Sequence, residues 1–361
     1  MPGQRSLGLD GPRRILLAQT SFAGDVVLTL PLHDALAAAF PAAEIHWLVR
    51  PAAVGLIAAR VGVDRVHIFD KHGKDAGGAG LLRTSRRLRA GRFDSALAVQ
   101  RSFRTALMLA LAGIPFRAGF ADAPGWWLYH CRVARRGTHA SERLLALAAA
   151  LGVAPEGLSL PPRLVVEPAA ARRIDVLLER EGIAAEARIL VVAPGSVWAT
   201  KRWPAAAFGA LMVSLVPARF DAAIVVGTAG DRIACGDAVR VASGARVVDL
   251  CGRTDAAELV ALLARASCAV ANDSAVGHIA ATLDVPLVSI FGPTVPEQGF
   301  APRGAHVRVV GLPLGCRPCS RHGTARCPLG THACMVDLDV ADVREALLAG
   351  LEPPQGGQVT G

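Results

Sequence analysis

Several residue types that mark particular protein classes are scarce in this chain of 361 residues. Aromatic residues make up 5% of it, so its cores must be built mostly from Ala, Leu and Val. No run reaches the ~18 uncharged apolar residues that a membrane-spanning helix needs. The apolar segment at residues 15–18 is too short for the core of a secretion signal, and Asp25 follows it closely. We therefore expect a cytoplasmic protein that is at most peripheral to a membrane.

Lysine is also rare. Of the 39 basic residues, only Lys71, Lys74 and Lys201 are lysines. The apolar fraction of 52% excludes a disordered chain. Residues 1–163 carry 21 basic and 11 acidic side chains, whereas residues 164–361 carry 18 and 19. A basic first half suits an anionic ligand or a membrane surface.

Short apolar strands alternate with helical stretches along the chain, which predicts parallel sheets covered by helices. One series begins at Arg14 and a comparable one at Arg188. We predict an α/β protein with two doubly wound Rossmann-like domains facing across a cleft. The predicted domains are 1–165 and 166–345, with a linker near 155–187 and a flexible tail over 346–361. Ligands of such sheets bind beyond the carboxyl ends of the strands, so the loops there should carry the function.

The loop after the first predicted strand contains Gly24 and Asp25. Gly24 lets the backbone turn tightly, which places Asp25 near the first turn of the next helix. Asp25 has two interpretations at this stage. It could cap the helix and complement its dipole, or it could act as a general base towards a substrate hydroxyl.

The second half has a similar loop, in which small and hydroxylic residues precede Lys201. Such residues can approach a phosphate closely, and the ammonium group of Lys201 would neutralise charge on a leaving diphosphate. The alternative is a solvated lysine between two core residues, Trp198 and Trp203.

A third loop reads Asn272-Asp273-Ser274 and opens a helix that contains His278. Free amides at a helix start bind anions, and His278 could add a hydrogen bond to a phosphate. The alternative is an ordinary helix cap with a half-buried histidine. Gly292-Pro293-Thr294 forms a further loop after the next predicted strand.

Over roughly residues 13–345, the order of these motifs resembles the bacterial lipopolysaccharide heptosyltransferases, which form glycosyltransferase family 9. The cysteine-containing segment 316–335 looks most like the heptosyltransferase II branch. The resemblance implies a GT-B enzyme that transfers L-glycero-D-manno-heptose from ADP-heptose to the lipopolysaccharide inner core. It also implies inversion of the anomeric centre without a catalytic metal or other cofactor, and a lipid A–Kdo acceptor at the inner leaflet.

The resemblance also assigns roles to residues of this sequence. Asp25 matches the family's catalytic carboxylate, and Lys201 matches the lysine that contacts the donor phosphates. Gly252–Thr254 is placed near the adenine, and Ala275 departs from the glycine that the family usually has. The donor-binding set that the resemblance implies is Ser196, Thr200, Lys201, Thr254, Asp273, Ser274, Gly277, His278 and Thr294.

The arginines of the first half have a role in this family, because an inner-core acceptor is anionic. Arg101 and Arg104 follow directly after a predicted strand, so we favour them as acceptor-binding residues. The other arginines could instead form a solvated helix face; they are Arg83, Arg86, Arg87, Arg89 and Arg92.

Four cysteines, Cys316, Cys319, Cys327 and Cys334, lie close together in the sequence. Four thiolates can hold a structural zinc ion, but only the first pair has the C-x2-C spacing. Free thiols packing a Pro- and Gly-rich segment, or a disulfide formed on oxidation, remain alternatives.

The sequence leaves two alternative functions open and disfavours two others. A family member with another nucleotide sugar or acceptor position is the first alternative, and a non-catalytic nucleotide-sugar-binding protein is the second. An oxidoreductase is disfavoured because no Gly-x-Gly-x-x-Gly follows the strands at Ile15 or Ile189. A nucleic-acid binder is disfavoured because no set of base-stacking aromatic residues interleaves with the arginines.

Overall fold

Two six-stranded parallel sheets organise a computed structural model that describes residues 11–154 and 163–351. The chain divides into two units, Met1–Val165 and Val166–Gly361, and each unit contains one sheet. The strands are β1 Arg14–Ala18, β2 Glu44–Val49, β3 Val66–Ile68, β4 Ser95–Ala98, β5 Phe116–Phe120, β6 Cys131–Val133, β7 Ile189–Ala193, β8 Ala222–Val225, β9 Val247–Asp249, β10 Cys268–Asn272, β11 Leu287–Ile290 and β12 Val307–Val310.

Helices connect these strands in both units. They are α1 Ala23–Ala39, α2 Val54–Val61, α3 Gly77–Ala90, α4 Phe103–Leu111, α5 Ala140–Leu145, α6 Pro168–Arg180, α7 Ala205–Leu215, α8 Arg232–Val241, α9 Ala256–Ala264, α10 Ala275–Thr282, α11 Ala333–Val336 and α12 Val340–Leu351.

The strand order in the first unit is β3-β2-β1-β4-β5-β6, so the chain starts near the middle and winds outwards in both directions. The second unit has the order β12-β11-β10-β7-β8-β9, which repeats this scheme. The central strands β1, β7 and β10 are buried along nearly their whole length, as strands covered by helices on both faces must be. The α/β class and the doubly wound sheets predicted from the sequence are confirmed.

The predicted flexible tail over 346–361 is wrong for residues 346–351. These residues belong to α12, and Leu347 is 1% exposed in the core that α12 shares with α7 and β11. The amphipathic side of α12 therefore fixes it to the second unit. The remainder of the predicted tail, 352–361, lies outside the described residues.

The predicted linker near 155–187 is also wrong over part of its length. Residues 168–180 form α6, which buries Ile174 and Leu178 and packs against α9 of the second unit. The prolines that suggested a linker do not prevent this helix, because Pro168 occupies its first position, where no backbone N–H is needed. Residues 155–162 lie outside the described part.

None of the helices in residues 11–154 and 163–351 combines the length and the apolar character required to cross a bilayer.

A buried histidine on α1 predicts how acid affects stability. His33 is 8% exposed, and its Nδ1 accepts a hydrogen bond from Trp47 Nε1 at 3.2 Å. Burial, with the charges of Arg60 and Arg65, lowers the pKa of His33 from its ordinary 6.5 to about 4. Between pH 6.5 and pH 4, His33 is therefore protonated in the unfolded chain but neutral in the folded protein. The free energy of unfolding falls as the pH drops through this range.

We expect His33 to account for about 3 kcal/mol of this loss. Urea unfolding of the wild type and of His33→Gln, measured from pH 7 to pH 4.5, checks it. The glutamine Oε1 can still accept the Trp47 bond but does not titrate, so the variant should lose less stability in acid. An equal loss in both proteins would contradict the assignment to His33. His67 contributes in the same sense, because burial also lowers its pKa to about 4.

Candidate active site

At the carboxyl edge of the second sheet, the loops after β7 and β10 form an ion pair, and the loop after β11 adds a hydrogen bond to it. Lys201 Nζ lies 2.5 Å from Asp273 Oδ2, and Thr294 Oγ1 donates a hydrogen bond of 2.7 Å to the same oxygen. The side chains of Lys201 and Asp273 are 12% and 9% exposed. One nearly buried carboxylate therefore positions both the ammonium group and the Thr294 hydroxyl. The structure brings together these three residues of the predicted donor site.

The start of α10 adds an anion-binding feature beside this ion pair. Ser274 is the N-cap residue, but its side chain makes no capping bond. Its Oγ is buried without a hydrogen-bond partner among the described groups. The first-turn amides of α10 have no partners within the helix, and an uncapped N-terminus favours negative charge. Asp273, Ser274 and the helix start thus form a place where a phosphate can bind.

The two other predicted donor residues of α10 are buried. An added Cβ at Gly277 would lie 3.2 Å from Pro302 Cγ and 3.5 Å from Ser289 Oγ, so this position packs against its own unit. What Gly277 can offer a ligand is its first-turn amide. His278, one residue further on, is 8% exposed.

Asn272 has a positioning role that the sequence analysis missed. It is fully buried at the end of β10, where its Oδ1 accepts from Trp203 N–H and its Nδ2 donates to the Pro194 carbonyl. Both ends of the loop after β7 are thereby tied to β10. A carboxamide directly after a buried apolar strand was the available signal in the sequence.

Two charged residues near the loop after β7 were also missed. Arg202 Nε donates to the carbonyl oxygen of Ser196, and its guanidinium lies 3.8 Å from Asp231. A Cβ at Gly195 would collide with the Asp231 carboxyl group, which explains why glycine is needed there. Ser196, predicted to bind the donor, is buried, and its carbonyl oxygen is the group that Arg202 contacts.

Thr254 lies in the loop after β9, at the same edge of the sheet but on the far side of β8. The neighbouring Gly252 has φ +71° and its N–H bonds to the Gly227 carbonyl, so this loop packs against the loop after β8. Its strand, β9, is two positions from β7, which precedes Lys201, and three positions from β10, which precedes Asp273.

A long segment after β12 packs over these loops; we call residues 311–338 the strap. Thr200 Oγ1 donates to the Thr324 carbonyl at 2.8 Å and accepts from Thr324 N–H at 2.8 Å. The His332 ring bonds to the Thr200 carbonyl, and Gly323 packs against Lys201 and Trp198. The Thr200 hydroxyl, predicted to bind the donor, is thus engaged in holding its loop to the strap.

Arg317 fixes the loop after β11 to the strap. Its guanidinium bonds to the carbonyl oxygens of Phe291 and Thr294 at 2.9 and 3.0 Å, and also to those of Gly292 and Leu312. Four carbonyl partners satisfy this cation without a carboxylate. Arg317 therefore sets the position of Thr294 and, through it, of Asp273.

Replacing Thr200 tests whether the strap supports the donor site. Thr200→Val keeps the shape but leaves Thr324 N–H without its acceptor, which costs about 1–3 kcal/mol. We expect a several-fold higher KM for the donor with a smaller change in kcat. Initial rates at varied donor concentration check this, with Thr331→Val, an exposed threonine of the strap, as the matched control. Unchanged KM in Thr200→Val would contradict a supporting role.

The four cysteines of the strap are free thiols in the structure. Burial raises the pKa of Cys334 to about 11, whereas backbone hydrogen bonds at His332 and Leu329 lower the pKa of Cys327. Across the described part of the chain, no three His, Cys, Asp or Glu side chains gather as a metal site would require. The geometry gives no support to zinc at Cys316, Cys319, Cys327 and Cys334, which stays a prediction that metal analysis of the purified protein checks.

In the first unit, Asp25 lies in the first turn of α1, after β1. Its carboxylate accepts a hydrogen bond from Phe22 N–H at 3.2 Å, as the capping interpretation requires. Its carbonyl accepts from Thr29 Oγ1 at 2.7 Å, which braces the turn. Asp25 is half-buried, so its carboxylate can serve as a cap and still be reached by a ligand.

Lys71 lies within electrostatic range of Asp25 at the carboxyl edge of the first sheet. Burial and the charges of Arg50 and Arg104 lower the pKa of the Lys71 ammonium, and the charge of Asp25 opposes them. The rarity of lysine had marked Lys71, but no motif linked it to Asp25. The arrangement can hold an anionic ligand beside a proton acceptor.

Arg101 and Arg104, the predicted acceptor residues, are bound to neighbouring backbone. Arg101 donates to the Asp122 carbonyl at 2.9 Å. Arg104 donates to the carbonyls of Asp75 and Gly77, and its guanidinium lies over the Phe69 ring. The charge of Arg104 acts on Lys71, which interacts with Asp25, whereas the structure does not link Arg101 to Asp25.

Comparisons with known proteins point to one family. The family model described as glycosyltransferase family 9 (heptosyltransferase) matches residues 81–328. The lipopolysaccharide heptosyltransferase 2 of Salmonella typhimurium is 28% identical, with 92% of this chain and 97% of that protein covered. The lipopolysaccharide heptosyltransferase 1 of Pseudomonas aeruginosa is 30% identical, over 85% of this chain and 86% of that protein.

A solved structure is similar across both units. The ADP-heptose lipopolysaccharide heptosyltransferase II of Escherichia coli gives a TM-score of 0.75 at 26% identity, over 94% of this chain and 98% of that one. This likeness confirms the GT-B fold expected from the sequence. The family match covers well over half of the chain and includes the three loops that carry Lys201, Asp273 and Thr294. The chain belongs to glycosyltransferase family 9, the heptosyltransferases.

Proposed function

We propose that this protein is an inverting heptosyltransferase that moves L-glycero-D-manno-heptose from ADP-heptose to the lipopolysaccharide inner core. The observation that carries the proposal is the buried Lys201–Asp273–Thr294 cluster beside the uncapped start of α10. It combines a fixed cation with free amides, which is the chemistry that a leaving nucleoside diphosphate requires. The names of the relatives, heptosyltransferases 1 and 2, support the sugar and the acceptor.

In this mechanism Asp25 takes the proton from an acceptor hydroxyl as its oxygen attacks the anomeric carbon. The bond between that carbon and the diphosphate oxygen breaks on the opposite face, so the configuration inverts. Lys201 and the first-turn amides of α10 receive the negative charge that develops on ADP. Because these groups supply the positive charge, we propose that no catalytic metal is needed.

The basic surroundings of Asp25 suit an anionic inner-core acceptor of the lipid A–Kdo type. Lys71 interacts with Asp25, and Arg50 and Arg104 interact with Lys71; these cations would attract phosphate and carboxylate groups of the acceptor. Since such an acceptor is anchored in a membrane, we propose that the protein works at the cytoplasmic face of the inner membrane.

Release of ADP from ADP-heptose, measured with a set of truncated core acceptors, tests the function. We expect release with one acceptor, retained in excess EDTA, and a product of inverted anomeric configuration by NMR. No release with any core acceptor, despite ADP binding, would favour the non-catalytic alternative. Release with another nucleotide sugar, or with a core acceptor that already carries heptose, identifies a different donor or acceptor position.

A further inference from the structure

An apolar strip is exposed along α4 and the neighbouring 3-10 helix Trp126–Leu128. Phe103, Leu107 and Leu111 are spaced four residues apart, so they share one side of α4. Trp127 packs beside Phe103 with ring centroids 6.0 Å apart, and Trp126 packs against Trp127 at 5.9 Å. We call these five residues the apolar strip. Trp127 is 58% exposed and Phe103 46%, a large exposure for a chain so poor in aromatic residues.

The strip is a built feature, because close backbone packing holds its two parts together. Gly125 has φ +87°, and a Cβ there would lie 3.0 Å from Ala106 Cβ and from Phe103 Cδ2. Only glycine therefore allows the 3-10 helix to sit this closely on α4. Exposed apolar patches on well-packed elements mark interaction sites.

Cations flank the strip at both ends. The Arg132 guanidinium lies over the Trp126 ring at 4.4 Å from its centroid. Arg89, on the adjacent helix α3, donates to the carbonyls of Leu111 and Ala112 at the end of α4. Helix α3 carries no acidic residue, and its exposed Arg86 is a further cation near the strip.

Little negative charge offsets these arginines. Between residues 77 and 111 the only acidic residue is Asp94, whose carboxylate accepts the backbone N–H groups of Arg13 and Arg14. Asp122, in the loop before the 3-10 helix, is 51% exposed and pairs with Arg101 and Arg135. The surface is therefore apolar at its centre and carries more arginines than acidic groups around it, which favours an anionic partner.

We propose that the apolar strip and the α3 arginines form a docking surface for an anionic lipid bilayer. Tryptophan and phenylalanine side chains settle at the boundary between head groups and acyl chains, while arginines attract acidic lipids. A second copy of this chain fits less well, because the same arginines would face each other across a symmetric interface. The inference deepens the proposed function and rests on it only for the lipid-anchored acceptor; its test needs no sugar transfer.

Sedimentation of the full chain with vesicles tests the proposal. We expect binding to phosphatidylcholine vesicles that contain about 30% phosphatidylglycerol, weaker binding to phosphatidylcholine alone, and release of the protein by salt. The double variant Phe103→Ser/Trp127→Ser should bind at least about tenfold more weakly, because both side chains lose their apolar contact with the bilayer. Arg86→Gln should lower binding about fivefold.

Ile233→Ser is the matched control, since Ile233 is 81% exposed but lies on α8 of the second unit. It should bind vesicles like the wild type. Equal vesicle binding by the control and the double variant would overturn the proposal. Failure of the wild type to bind anionic vesicles would also overturn it. A dimer in sedimentation velocity that the double variant abolishes would assign the strip to a second copy instead. A protein that binds vesicles but transfers no heptose would refute the proposed function and leave the docking surface standing.

Discussion

Asp25→Asn should lower kcat by about 10³-fold while ADP still binds with wild-type affinity. Asparagine has nearly the shape of aspartate, and its Oδ1 can still accept the hydrogen bond from Phe22 N–H that caps α1. It cannot take a proton from a hydroxyl at neutral pH. The substitution therefore separates the two interpretations of Asp25, because capping is retained and base catalysis is lost.

Measurement of ADP release under saturating substrates, together with thermal unfolding, checks this prediction. Asp64→Asn is the matched control, since Asp64 lies in a 3-10 helix of the same unit with no role in the site. We expect the two variants to unfold at similar temperatures and to differ only in rate. If Asp25→Asn kept more than about a tenth of the wild-type kcat, its carboxylate would be a cap alone.

The sequence predicts that Lys201, Asp273 and Thr294 lie near one another, because parallel strands bring distant loops to one edge. Lys201, Asp273 and Thr294 follow the ends of their strands by eight, one and four residues, so the topology places them at one edge once the strands are recognised. The hydrogen bonds to Asp273 Oδ2 were not predictable, because they depend on side-chain directions rather than on residue order.

The contacts between the strap and the loop after β7 could not be predicted from the sequence. Thr200 and Thr324 are 124 residues apart and share no periodic pattern, yet they hold each other through three hydrogen bonds. The four cysteines suggested a metal site in this segment, whereas Arg317 makes its most extensive contacts with the loop after β11. A cation satisfied by backbone carbonyls has no sequence signature, because any loop can present them.

The domain limits show the same difference between local and long-range information. Prolines at the start of the predicted linker are a local signal, and they suggested irregular structure as far as residue 187. Helix α6 forms there because Ile174 and Leu178 find a buried surface beside α9, which local composition does not contain. The free energy gained by burying these two side chains outweighs the local preference of the proline-containing segment for irregular structure.

Lys201→Met should both destabilise the protein and suppress transfer, and a second substitution separates these effects. Removing the ammonium leaves the Asp273 carboxylate, 9% exposed, without its cation, which costs about 3–5 kcal/mol. In Lys201→Met/Asp273→Asn no charge remains buried, and the introduced carboxamide would still accept from Thr294, so we expect most of the stability to return. Transfer should stay about 10²–10³-fold slow in both variants, because neither supplies a cation to the leaving diphosphate. Urea unfolding and single-turnover rates on the same preparations check both parts. Recovery of the rate along with the stability would mean that Lys201 serves only to neutralise Asp273.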